Sequence, residues 1–139
     1  MARESIVYQR MDKYCVHSRI ERIENLVKKS TPDMFVQNRN TNCWVEAKNV
    51  KIGIRARLIK MPMEDGQYNW AVSNVRFGGK VLLGIVADDA PYNRDGLFFS
   101  LVPVEYIEHS TFVEAFMEGR CGDLCYVLNK DLDKFFLSI

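Results

Sequence analysis

Seven consecutive apolar residues, Val81 to Ala87, follow the dipeptide Gly78-Gly79 and Lys80. An apolar run of this length behind a glycine stop reads as a strand buried on both faces. A strand of that kind needs a covering layer on each side. Helical patterns lie on either side of it in the sequence, so the expected class is mixed α/β, a sheet core flanked by helices.

The remaining elements are read from period and punctuation. Residues 3 to about 29 read as helical with a break near Cys15 to Ser18. Ile6, Val7 and Met11 begin one stripe; Ile20, Ile23 and Val27 continue another. Ser18 with Glu21 forms a capping-box pattern, and Pro32 ends the helix. Two apolar strands around the polar turn Gln37 to Asn42 predict a hairpin. Residues 49 to 61 alternate in part and fit either a third strand or an extended basic loop. Pro62 suits the first turn of a helix over Met63 to Arg76, which stops at Gly78-Gly79. A turn-rich loop spans Asp88 to Asp95, then a strand Leu97 to Val102. A helix is expected from Pro103 to about Glu118, ended by Gly119. A short strand Leu124 to Leu128 and a terminal helix Leu132 to Leu137 complete the chain.

The 139 residues suffice for a single domain, 1–139, with its core at about 19–102 and a helical and strand addition at 103–139. No apolar run is long enough to span a membrane, and Met1-Ala2-Arg3-Glu4 lacks a signal-peptide core, so a cytoplasmic location is expected. The net charge of +1 hides a split: the balance is +2 over residues 1–33, +5 over 34–60 and −6 over 61–139. Positive charge concentrated around the hairpin suits a polyanionic partner. Cys15, Cys43, Cys121 and Cys125 offer no zinc spacing and read as reduced thiols.

The chemistry concentrates on the hairpin. Asp33 lies in its first strand, Thr31 to Val36, and can reach Glu46 and Lys48, which lie two apart on its second and hence on one face. Two carboxylates converging there make a hard-cation site suited to Mg²⁺ or Mn²⁺, with a Lys beside it to touch phosphate. Lys51, Arg55, Arg57 and Lys60, with Arg19 and Arg22, are candidate phosphate contacts; no acid interrupts the run between Glu46 and Glu64. Trp44 and Trp70 could stack on bases, though core packing accounts for them as well. His17 and His109 show no partner pattern. No Cys/His or Ser/His/Asp arrangement and no Gly-rich phosphate loop is present.

In order, the chain carries I-E-N at Ile23-Glu24-Asn25, P-D at Pro32-Asp33, W-V-E-A-K at Trp44 to Lys48, Q-x-x-W from Gln67, and then G-G-K-V-L-L-G-I-V. This resembles the PD-(D/E)XK nuclease superfamily, most closely the small stand-alone VRR-NUC-type nucleases of phage. The resemblance covers roughly residues 19–89. It departs from the family in having Ser30-Thr31 where a Gly often precedes Pro-Asp, and in the long basic insert 49–61.

The resemblance implies a restriction-endonuclease-like fold and a Mg²⁺- or Mn²⁺-dependent DNA endonuclease hydrolysing phosphodiester bonds. Branched, flapped or nicked DNA would be its substrate, and a phage protein would work in the host cytoplasm. By the same resemblance, Asp33, Glu46, the Ala47 carbonyl and Glu24 would hold metal. Lys48 would position or activate the attacking water, and Gln67 would orient Lys48 or a phosphate. A homodimer is expected, because cutting two strands needs two sites; Ile6, Val7 and Met11 or the C-terminal third would supply its interface. No organic cofactor and no membrane partner are expected. The alternatives are a catalytically silent nucleic-acid-binding module and a phage-encoded inhibitor or interaction factor on the same fold.

Overall fold

A computed structural model of the chain describes residues 5–23, 30–53 and 56–139. Helix α1 (Ile6–Tyr14) opens at Ser5, whose hydroxyl accepts from the Tyr8 N–H at 3.0 Å, an N-cap. Strands β1 (Arg19–Arg22), β2 (Met34–Gln37) and β3 (Asn42–Val50) follow as an antiparallel meander. The expected second helix is therefore corrected over 19–22, and Ser18 caps no helix. Ile20 pairs with Val36 across the ladder, so its apolar side chain serves a sheet face instead of a helical stripe. Glu24 and Val27 lie outside the described residues.

The basic segment is part strand and part loop. β3 runs on to Val50, and β4 (Leu58–Lys60) pairs with β7 (Tyr106–Glu108) in a separate two-stranded ribbon. Helix α2 (Gln67–Arg76) starts four residues later than the sequence predicts. Gly66 stands before it with φ 84°, a left-handed conformation that glycine adopts without strain, and Pro62 lies in the extended lead-in. β5 (Val81–Ala87) is buried at every position, as its apolar run requires. β6 (Gly96–Ser100) follows. Helix α3 (His109–Glu118) is shorter than the predicted 103–118 because Tyr106–Glu108 pairs with β4, and it ends at Gly119 with φ 88°. β8 (Arg120–Cys121), β9 (Leu124–Leu128) and α4 (Leu132–Ser138) close the chain.

The main sheet has the order β1-β2-β3-β5-β6-β9-β8. β3 and β5 run parallel; the other neighbours are antiparallel. The parallel pair requires a crossover, which α2 supplies. β9 lies inside this sheet, so residues 103–139 are built into the core. Alternate residues divide the faces. Cys43 and Val45 of β3 pack with Val7 and Met11 of α1 and Leu132 and Phe136 of α4. The opposite face holds Val50, Leu83, Ile85 and Phe98 against Phe112 and Ala115 of α3 and Ile59 and Ile107 of the ribbon. Gly84 lets α1 approach: a Cβ there would stand 2.8 Å from Val7 Cγ1. Val7 and Met11 are fully buried, which corrects their expected place in a dimer interface; Ile6 is 44% exposed. Among the described residues no helix is long and apolar enough to cross a membrane.

Candidate active site

Glu46 and Lys48 sit mid-way along β3 on the face covered by α2 and α3. Both are nearly inaccessible, at 4% and 6% exposed. Burying a charge is costly unless it is paired and hydrogen-bonded. Here each partner is supplied: Lys48 Nζ lies 3.1 Å from Glu46 Oε1 and donates to Gln67 Oε1 at 2.7 Å. Gln67 Nε2 donates back to Glu46 Oε1 at 3.0 Å, and the Glu64 N–H donates to Gln67 Oε1 at 2.9 Å. The late start of α2 thus places Gln67 in its first turn, bridging carboxylate, ammonium and loop backbone.

Asp33 ends the loop into β2 and lies opposite Glu46 in an extension of the β2–β3 register. Its Oδ2 accepts from the Ala47 N–H at 2.9 Å, and its carbonyl accepts from the Ile23 N–H at 2.8 Å. Burial first, and then the neighbouring Asp33 carboxylate, push the Glu46 carboxyl up to about 7 against the opposing pull of Lys48. Among the described residues no donor reaches the buried Glu46 Oε2. The sequence-predicted group of Asp33, Glu46, Ala47, Lys48 and Gln67 is therefore brought together. Glu24 lies outside the described residues, among which no group of three or more His, Cys, Asp or Glu gathers.

The cations are distributed unevenly. Lys51, Arg57 and Lys60 are exposed around the segment that leads to α2. The loop is pinned by Asp89, whose carboxylate accepts from the Ile52 and Gly53 N–H groups at 2.9 and 2.7 Å. Arg55 lies outside the described residues. Arg19 shares the face of Glu46 through the pairs Arg19–Gln37 and Gln37–Asn42. Arg22 takes the other face, with its guanidinium 5.5 Å from the Tyr8 ring centroid. Two cations outside the predicted set, Arg39 and Lys80, stand beside Trp44 at the other end of α2. No local motif marks them. His17, expected to lack a partner, binds Asp133 at 2.7 Å.

Hjc, a Holliday junction resolvase from the archaeal hyperthermophile Archaeoglobus fulgidus, has a solved structure that matches this one with a TM-score of 0.56. The match covers 94% of this chain and 97% of that chain, at 13% identity. The chain has a restriction-endonuclease-like fold. No protein-family model and no curated protein matches the sequence. At this identity the likeness establishes the fold, and the chemistry rests on the residues themselves.

Proposed function

We propose that this chain is a divalent-metal-dependent DNA endonuclease selective for branched, flapped or nicked DNA. One observation carries the reading: a buried carboxylate, Glu46, has an oxygen that no donor among the described residues reaches and a second carboxylate, Asp33, beside it. Two adjacent anions with an unmet oxygen are unfavourable alone and suit a hard cation. Asp33, Glu46 and the Ala47 carbonyl would hold Mg²⁺ or Mn²⁺, and Glu24 is a further candidate. The likeness to a Holliday junction resolvase supports a structure-selective nuclease. The motif order supports the VRR-NUC type.

A bound divalent cation supplies Lewis acidity at the phosphate and acidifies water for in-line attack. The chain's own residues supply position and charge. Lys48, fixed by Gln67 and Glu46, orients the attacking water and offsets charge building on the phosphoryl oxygens. Lys48 and Gln67 both engage Glu46 through Oε1, which leaves Oε2 to bind metal. Lys51, Arg57 and Lys60 hold the backbone of the substrate, with Arg55 and Arg19 as further contacts.

Cleavage of plasmid and branched DNA in Mg²⁺, Mn²⁺ or EDTA tests the assignment. Metal-dependent cutting of branched DNA is expected; binding without cutting in any metal would leave a silent binding module instead. Two strands cut in concert call for two sites, so a two-fold dimer is part of the proposal. Light scattering showing a monomer at all concentrations with concerted cuts would refute that part.

A further inference from the structure

Along β3, two residues before Glu46 and on the same face, stands Trp44. Its ring meets Phe35 at 4.9 Å and Trp70 at 5.3 Å. From Gln67 onward α2 runs back alongside β3, through Trp70 and Asn74 to Phe77. Past the Trp44–Trp70 contact, toward the β2–β3 turn, the end of α2 bounds a trough lined by Trp70, Ser73, Asn74 and Phe77 that adjoins a second depression through Asn74, Gly78 and Gly79. That second depression, of about 530 Å³, is lined by Arg39, Trp44, Asn74 and Lys80 among others, with no acid in the lining. That volume falls within the ~300–1,000 Å³ usual for small-ligand sites.

Two features of this trough are left unsatisfied within the described residues, and two cations beside them are held on fixed backbone. Phe77 is 84% exposed, an aromatic face held in solvent at the end of α2. The buried Asn74 Oδ1 has no hydrogen-bond partner among the described residues. Gly79 makes room for it, since a Cβ at that position would fall 1.8 Å from Asn74 Oδ1. Arg39 sits at a turn that is built rigidly. The Asn38 carboxamide accepts from the Asn40 and Thr41 N–H groups at 2.8 Å each and donates to Ser18 Oγ and the Phe136 carbonyl at 3.0 and 2.9 Å. Lys80 is fixed by the bond from the Trp44 N–H to its carbonyl at 2.9 Å.

We propose that this trough holds an unpaired stretch of the DNA strand that enters the Glu46–Lys48 site, with bases on Trp70 and Phe77 and phosphates on Arg39 and Lys80. The inference rests on the proposed nuclease function and supplies its selectivity. Aromatic faces stack on bases whose own faces are open, as in single strands, and a paired duplex conceals them. Two cations without an opposing acid match the phosphates between such bases. A strand rise of ~3.3 Å per residue sets Trp44 about 7 Å from Glu46, so the trough meets the strand close to its cut.

The chain contains two tryptophans, Trp44 and Trp70, so emission excited at the red edge, where its six tyrosines do not absorb, reports this trough. The test titrates the full chain, in EDTA, with a blunt duplex and with the same duplex carrying a thymidylate flap. The flapped duplex should quench the emission and bind more tightly. Phe77→Ala, at an exposed position, should weaken flap binding about tenfold and leave the blunt duplex unaffected. Arg39→Ala with Lys80→Ala should reduce the salt slope for the flap by about two. Unchanged emission with a flap that anisotropy shows to be bound, no binding of the flap at all, or equal loss of both DNAs in Phe77→Ala would overturn the proposal. Cleavage in Mg²⁺ is read separately: cutting without quenching sinks the trough alone, and quenching without cutting sinks the nuclease reading alone.

Discussion

Replacing Gln67 removes the bridge on which the buried ion pair depends. Gln67→Met keeps the volume and deletes the hydrogen bonds from Lys48 at 2.7 Å, to Glu46 at 3.0 Å and from the Glu64 N–H at 2.9 Å. Two of these involve charged groups, which contribute ~1.5–3 kcal/mol each, and a neutral one adds ~1 kcal/mol. Water entering beside the first turn of α2 offsets part of the loss, leaving roughly 3 kcal/mol. At ~2.1 cal/mol/K per residue the unfolding entropy of a chain this size is ~0.3 kcal/mol/K, so the melting temperature should fall by about 10 °C. In the proposed reaction Lys48, freed on one side, would no longer hold water in line, and kcat should fall on the order of a hundredfold. Metal affinity should change far less, because Asp33 and Glu46 remain. Calorimetric melting and single-turnover cleavage measure the two effects. A Gln67→Met protein that melts within about 2 °C of the parent and cuts at its rate would refute the bridging role.

Further outcomes follow from the same site. Asp33→Ala and Glu46→Ala should abolish cleavage and metal binding together, whereas Lys48→Ala should abolish cleavage and retain metal binding, read by isothermal titration; full activity of any of the three would defeat the assignment. In EDTA, Glu46 titrates near 7 in the folded chain against an ordinary 4.5, raised by burial first. A proton held more tightly in the folded state stabilises it below the ordinary value, and that stability is lost as pH rises through about 7, by roughly 3 kcal/mol. Melting curves from pH 4 to 8 should show this decline, reduced in Glu46→Gln and countered by Mn²⁺; parallel curves for parent and variant would contradict it. Arg57→Ala with Lys60→Ala should weaken binding alike on unrelated sequences and flatten the salt slope by about two; selective loss on one sequence would make the basic segment a base reader.

What the sequence discloses depends on how local its cause is. The buried strand Val81–Ala87 and the stop at Gly119 were legible because an apolar run and a left-handed glycine act within a few residues. The second strand of the hairpin was legible too, with Glu46 and Lys48 on one face. Arg19–Arg22 misleads because Ile20 and Ile23 are three apart, a helical interval, and only pairing with Met34–Gln37 makes the segment a strand. Tyr106–Glu108 likewise becomes a strand through Leu58–Lys60, some fifty residues earlier in the chain. The order of Asp33, Glu46, Lys48 and Gln67 announces a site, but not its burial or the hydrogen bonds of Gln67, which depend on where α2 begins. Arg39 and Lys80 meet across the ends of two strands, a proximity that no spacing encodes.

The single parallel pair of strands has a consequence for the order in which the site is assembled. Asp33 and Glu46 belong to neighbouring strands of one hairpin, and a hairpin closes a short loop at small entropic cost, on the microsecond scale. Gln67 reaches Lys48 only after the chain from β3 through α2 has folded back and docked β5 in register, a slower, non-local closure. The carboxylate pair is thus available to a cation before Lys48 is seated. Under the proposed function, a chain emerging from synthesis would gain its metal-binding half first and its capacity to cut last, so the incomplete protein would bind metal without harming DNA.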